Sequence, residues 1–202
     1  GMTGATMSHG NQQATTAGDT PVEKMTNDEL IIRLLFTPNH LSRWLTPIHT
    51  DSRLANSPRR GEPSVKQLLI ELRDHELDVF PRLFAMSTRD QPDLDALPPF
   101  RRTREEALWD HEAAVLSIMS QFRRVRQSTG SVLRSQPNDT WGREGLSRER
   151  GDTTIRQTAN ALARHDVDML ARINRALDLS GARQGIAAVS RADLHELLEL
   201  PV

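Results

Sequence analysis

The 202-residue chain contains no cysteine, which excludes disulfide bonds, thiolate catalysis and zinc sites with cysteine ligands. It also lacks any apolar run near the roughly 20 residues that a helix needs to cross a bilayer. The first residues have no apolar centre of the kind found in a signal peptide. We therefore expect a cytoplasmic protein without a membrane partner. Alternation of apolar and polar residues between turn signals is absent as well, so β-strands are not predicted.

Positive and negative charges are nearly balanced along the chain. There are 26 basic and 27 acidic residues, so no general electrostatic field would attract nucleic acid. Two arginine clusters, Arg101-Arg102-x-Arg104 and Arg123-Arg124-x-Arg126, are candidates for phosphate contacts. We favour the simpler interpretation that they lie on solvated helix faces. We predict no nucleic-acid partner.

Capping boxes mark where helices begin, because each pairs two side chains with otherwise unsatisfied amides. They occur at Thr26-x-x-Glu29, Ser64-x-x-Gln67, Thr103-x-x-Glu106 and Thr154-x-x-Gln157. The helix from Ser64 is predicted to reach about Met86, the one from Thr103 to fray near Gly130, and the one from Thr154 to reach about Leu179. The first helix is either one kinked helix or two, because Thr37-Pro38 also has the form of a helix start.

Composition divides the chain into three parts. Residues 1–24 are rich in small polar residues and are predicted to be disordered or loosely packed. Residues 25–180 carry the four long amphipathic helices, which predict an all-α four-helix bundle with extra short helices at the ends. Residues 181–202 form a C-terminal extension with a short helix predicted from Ser190-x-x-Asp193.

One sequence motif, called here the repeated phrase, occurs twice in the chain at an offset of 90 residues. The first copy begins at Ser64 and reaches His75-Glu76, and the second begins at Thr154 and reaches His165-Asp166. At 100° per residue, Glu76 and Asp166 lie near the middle of the apolar stripe of their helices, and each histidine lies at the edge. The two edges can therefore meet in a bundle.

Two further side chains lie on the same helix faces as the two histidines. Glu71 lies one turn before His75, and Met169 lies one turn after His165. A carboxylate that points into a core needs a cation, a proton or a hydrogen-bonding partner. Glu76 and Asp166 therefore indicate either a polar layer, bound by a neighbouring Arg, Trp or His, or a metal or acid–base site. His111 also falls near the apolar face of the predicted third helix, where a satisfied or half-exposed state is expected.

The order of several motifs resembles the DinB/YfiT-like family over most of residues 27–178. The motifs are Gly61-Glu62-Pro63-Ser64-Val65, Leu72-x-x-x-Glu76, Phe122-Arg123-x-x-Arg126, Trp141-x-Arg143 and the stretch from Thr154 through Ile173. The resemblance implies a four-helix bundle, often dimeric, in which three side chains hold a divalent metal such as Zn, Ni or Mn.

In the family those ligands are a histidine of the second helix and a His-x-x-x-His pair of the last helix. His165 matches the first histidine of the pair, whereas Met169 stands at the second position. The second-helix position falls on Glu71, with His75 one turn later. The resemblance thus implies Glu71, His75, His165 and Met169 as candidate metal ligands, although methionine is a poor ligand for these metals.

Two hypotheses follow. The first is a metal-dependent hydrolase or a thiol-dependent transferase, similar to the mycothiol-dependent maleylpyruvate isomerases, with Glu76 or Asp166 moving protons. The second is a non-catalytic dimeric bundle that has lost the metal site and binds a partner or a small apolar ligand. Met169 favours the second hypothesis, whereas His75 with Glu71 favours the first.

Overall fold

A computed structural model describes residues 20–186 of the chain. The helices are α1 Asn27–Leu45, α2 Asp51–Ala55, α3 Val65–Thr88, α4 Arg104–Glu112, α5 Val115–Ser135 and α6 Ile155–Ser180. Single 3₁₀ turns lie at Val22–Lys24, Leu94–Ala96 and Asn138–Thr140. The all-α prediction is confirmed. Within residues 20–186, the exception that the sequence did not predict is one antiparallel pair of two-residue strands, β1 Glu144–Gly145 and β2 Thr153–Thr154.

All four predicted capping boxes are present. At the starts of α1, α3, α4 and α6, the hydroxyl of the N-cap residue accepts a hydrogen bond from the backbone N–H three residues later. The Glu or Gln at that third position in turn accepts one from the N-cap N–H. Each box acts within four residues of sequence, which is why the sequence predicts these helix starts well.

Of the two alternatives at Thr37-Pro38, one helix or two, the single helix is the one observed, because α1 continues through both residues. Pro38 has no N–H to donate to the carbonyl of Leu34, one turn earlier. The guanidinium of Arg126 takes over that role, since its Nη1 donates to the Leu34 oxygen at 2.9 Å. Thr37 does not cap anything; its hydroxyl donates to Asp166 Oδ2 at 2.6 Å.

The predicted third helix is in fact two helices. It breaks at Ala113 and Ala114, and α5 continues through Gly130 instead of fraying there. Long-range contacts set the break: Lys66 Nζ donates to the His111 carbonyl at 2.8 Å, and Asp51 Oδ1 accepts from the Val115 N–H at 3.0 Å. The side chain of His111 is exposed rather than near the apolar face, because α4 does not continue the line of α5.

The four long helices form the bundle. α5 and α6 each pack against both α1 and α3, so α1 and α3 lie diagonally across from each other. The core has two apolar clusters, one towards each end of the bundle. Between them, each long helix contributes polar side chains: Thr37, Glu76, Arg126, Thr129 and Asp166, all at most 1% exposed.

The two predicted terminal segments fall mostly outside the described residues. Of the tail predicted over residues 1–24, only residues 20–24 are described, and Arg156 Nη2 donates to the carbonyl of Val22 at 3.0 Å. The short helix predicted from Ser190 lies outside the described residues. Within residues 20–186, no helix combines the length and apolar character that crossing a membrane requires.

Candidate functional site

The two halves of the repeated phrase meet where α3 packs against α6. The imidazole rings of His75 and His165 stack with their centroids 3.7 Å apart and their planes 18° from parallel. The Nδ1 atom of each ring is buried and has no hydrogen-bond partner. The sequence-based expectation that the two histidine edges meet is therefore confirmed, and the pair leaves two nitrogen atoms that nothing in the described chain satisfies.

The surroundings of the pair disfavour the charged form of His75. Burial lowers the pKa of His75, and the neighbouring His165 lowers it further. Glu76, Asp166 and Asp78 act in the opposite direction but do not outweigh these effects. A neutral imidazole is the form that can accept a proton or offer a nitrogen lone pair.

The other two predicted ligands are joined by an arginine. Arg172 Nη1 lies 2.9 Å from Glu71 Oε1 and 3.3 Å from Met169 Sδ. Met169 itself is fully buried in one of the apolar clusters, whereas Arg172 and Glu71 are about half exposed. A positive charge thus already occupies the space between two of the side chains that the family resemblance assigned to a metal.

The donor set does not fit the three-ligand metal site of that resemblance. Within the part of the chain that the structure describes, no group of three or more His, Asp or Glu side chains is placed so that it could hold a metal ion. Glu71 is bound to a guanidinium, and the thioether of Met169 is a soft, weak donor for Zn, Ni or Mn. Only the two imidazoles remain as good ligands.

The two carboxylates of the repeated phrase are bound by one arginine. Arg126 Nε and Nη2 each donate at 2.9 Å to the two oxygens of Glu76. Arg126 Nη1 and Nη2 donate to Asp166 at 2.5 and 2.8 Å. The hydroxyl of Thr129 adds a hydrogen bond to Glu76 Oε1 at 2.8 Å, as Thr37 does to Asp166. This is the polar layer that the sequence left open as one of two explanations.

The layer keeps its charges although it is buried. Burial alone would lower the pKa of Arg126, but the carboxylates of Asp166 and Glu76 outweigh it and raise that pKa above its ordinary value. The guanidinium also stacks against the Phe122 ring, 5.0 Å from its centroid. The catalytic role predicted for Glu76 and Asp166 stays a prediction, and in this arrangement the oxygens of both are already engaged.

Sequence reasoning missed two arginines. The solvated-face interpretation of the Arg123-Arg124-x-Arg126 cluster is wrong for Arg126, which is fully buried. Its position one turn after Phe122, on the apolar stripe of α5, was the available signal. Arg172 gave a weaker signal, because only the packing of α3 on α6 shows that it reaches Glu71.

Comparison with known proteins supports the fold. A solved structure of similar shape is that of YfiT from Bacillus subtilis, described as a probable metal-dependent hydrolase with an unusual four-helix bundle topology. The two chains superpose with a TM-score of 0.62 at 19% identity, over 78% of this chain and 89% of YfiT. No family model and no curated protein matches the sequence. The protein therefore has the DinB/YfiT-like four-helix bundle fold, and the metal-dependent activity is a description of YfiT.

Proposed function

We propose that this chain is a DinB-like bundle that has lost metal-dependent chemistry and acts as a non-catalytic binding module for a small apolar ligand or a partner. The observation that carries the proposal is the place of Met169, whose buried thioether stands where the resemblance implies a histidine ligand and contacts Arg172, which also binds Glu71. A guanidinium at that place gives the carboxylate a counter-ion and repels a divalent cation. The engagement of Glu76 and Asp166 by Arg126 supports the same conclusion, since neither is a free proton carrier.

The missing ligand matters more than the arginine. A half-exposed ion pair such as Arg172–Glu71 contributes about 0–1 kcal/mol, so a well-held metal would displace it. Replacement of an imidazole by a thioether removes one of three coordinate bonds, which a Zn or Ni ion cannot recover from Met169. We therefore expect the methionine to dominate the loss of metal affinity and the arginine to add to it.

Restoring the ligand set tests this proposal. The variants are Met169→His, Arg172→Ala and the double variant, each titrated with Ni²⁺ by calorimetry on the full chain after chelator treatment. We expect no saturable binding by the unsubstituted protein, weak binding by Met169→His and the tightest binding by the double variant. Saturable Ni²⁺ binding by the unsubstituted protein that is as tight as binding by the double variant would contradict the proposal.

The stacked histidines favour a second candidate. Their unpartnered Nδ1 atoms could be satisfied by a cation, which would make the protein a metal-dependent hydrolase or thiol-dependent transferase with two imidazole ligands. The titration separates the two candidates. A site of this kind would bind Ni²⁺ in the unsubstituted protein and lose it in His165→Ala.

A homodimer remains part of the proposal, because the resemblance implies one. Six large apolar side chains are more than a third exposed on the described surface: Ile32, Phe84, Leu108, Trp109, Leu116 and Val167. Sedimentation velocity over a concentration series measures the oligomeric state. A single species with the mass of one chain at all concentrations would remove the dimer from the proposal.

A further inference from the structure

A cavity of about 330 Å³ opens between α3 and α5, near the loop before α4. Its lining residues are Arg73, Leu77, Arg102, Gln121, Arg124 and Val125. Arg73 and Leu77 are each two positions from His75, so they lie on nearly the opposite side of α3 from the histidine pair. The cavity is therefore separate from the site described above.

Two of its three arginines are fixed by ion pairs. Arg73 donates to both oxygens of Asp110 at 2.7 Å, and Arg102 donates to the same carboxylate at 2.6 and 3.0 Å. Burial raises the pKa of Asp110, but its hydrogen bonds with the two arginines outweigh this and lower it. Arg73 also pairs with Asp74, and Arg102 also pairs with Glu106. The three carboxylates hold both guanidinium groups in place and compensate their charges.

The third arginine, Arg124, has no side-chain partner in the described part of the chain. The side chain of Arg124 makes no hydrogen bond or ion pair with any residue in the described range. Gln121 uses its Oε1 atom to accept a hydrogen bond from Arg73 Nη1 at 2.8 Å, which leaves its amide N–H groups available. No acidic residue is among the lining residues, and Leu77 and Val125 supply apolar surface. The cavity thus offers one free positive charge, spare donors and an apolar wall.

We propose that this cavity binds a small monocarboxylate with an apolar body. The guanidinium of Arg124 presents two parallel donors to a carboxylate, and a single negative charge matches its single free positive charge. A dianion would leave one charge uncompensated. The volume lies at the lower end of the range for ligand sites, which selects short aliphatic or aromatic acids. This inference rests on the proposed function. It assigns the small ligand of that proposal to this cavity and adds a carboxylate to its apolar body.

Titration with octanoate tests the proposal, with chelator present and the full chain in the calorimeter cell. We expect saturable one-to-one binding by the unsubstituted protein. Arg124→Ala should weaken it about tenfold or more, which is the usual effect of losing a charge-assisted hydrogen bond. Leu77→Trp should abolish binding by filling the cavity. Arg134→Ala is the matched control, because Arg134 is an exposed arginine of the same helix that does not line the cavity.

Three results would overturn the proposal: no saturable binding of octanoate, equal weakening by Arg124→Ala and Arg134→Ala, or loss of binding in His165→Ala with Arg124→Ala unaffected. Neutral octanol should bind about tenfold more weakly than octanoate, and equal affinity would remove the role of the charge. Since Arg124 is exposed, the melting temperature should be unchanged in its variant. Metal binding by the unsubstituted protein would refute the proposed function while leaving the octanoate result independent, because the two sites lie on opposite sides of α3.

Discussion

Arg126 is the side chain on which the middle of the bundle depends. It is fully buried and bound by two carboxylates, Glu76 on α3 and Asp166 on α6, and it also takes the place of the N–H that Pro38 lacks. Bringing one guanidinium and two carboxylates out of water is costly, so the cluster as a whole adds little net stability. Removal of one partner is strongly destabilising, because it leaves the other charges buried without compensation.

Arg126→Met should therefore lower the free energy of unfolding by about 3–5 kcal/mol. Glu76 and Asp166 would remain buried beside each other without a cation. Urea denaturation followed by circular dichroism measures the change. Arg134→Met, an exposed substitution of the same kind, should stay within about 0.5 kcal/mol of the unsubstituted protein.

The same experiment includes a rescue. In the triple variant Arg126→Met, Glu76→Gln, Asp166→Asn, the buried charges are gone, so most of the lost stability should return. Recovery would assign the loss to uncompensated charge. If Arg126→Met alone unfolds at the urea concentration of the unsubstituted protein, the ionic layer does not have the role described.

His75 should make the protein less stable in mild acid. Its pKa is lowered in the folded state, chiefly by burial and then by His165, against the opposing effect of Glu76, Asp166 and Asp78. The unfolded chain then binds more protons, so stability is full above the ordinary value of 6.5 and is lost as the pH falls below it towards the folded-state pKa. Thermal melts across this range, with chelator present, should show a smaller loss in His75→Gln. An identical pH dependence in both proteins would contradict this.

Individual side-chain contacts were predictable from the sequence only in part. The meeting of His75 and His165 followed from the repeated phrase and from helical geometry, both of which are local. The partners of Glu76 and Asp166 did not follow, because any arginine on any facing helix satisfies the same need. Arg172 was missed for the same reason: its contact with Glu71 exists only once α6 lies against α3 in this register.

At the scale of elements, helix starts were predictable and one helix break was not. The four capping boxes are made within four residues and were all found. The break between α4 and α5 depends on residues far away in sequence, Lys66 and Asp51, which hold the two helix ends. Gly130 suggested a break by its low helix propensity. It lies instead in continuous helix, where a Cβ atom would come within 2.8 Å of Leu35.

The strand pair offers a test of close packing. A Cβ atom at Gly145 would lie 2.6 and 2.9 Å from two carbons of Leu94 and 2.9 Å from Cγ of Met86. Gly145→Ala should therefore cost about 1–3 kcal/mol of stability through overpacking. Gly142→Ala, three residues earlier and with no atom within 4 Å, is the matched control and should be nearly neutral. Equal melting temperatures for the two variants would show that β1 and the loop with Leu94 are not packed as described.

At the scale of the whole molecule, the fold has two separate polar faces around one buried ionic layer. The histidine pair and the Arg172–Glu71 contact lie where α3 meets α6, and the cavity with Arg124 lies where α3 meets α5. The all-α bundle could be predicted from helical periodicity and motif order, and its likeness to YfiT agrees. The cavity could not, because its lining comes from α3, α5 and the loop before α4 and forms only on packing.

The loss of the metal site is tested first by measuring the metal content of the full chain. Three proteins are dialysed against buffer without chelator and then analysed for their metal content. They are the unsubstituted protein, His165→Ala and the double variant Met169→His, Arg172→Ala. We predict far less than one equivalent of Zn, Ni or Mn in the unsubstituted protein and a clear increase in the double variant. Near-stoichiometric metal in the unsubstituted protein that disappears in His165→Ala would contradict this prediction and make the histidine pair a working metal centre.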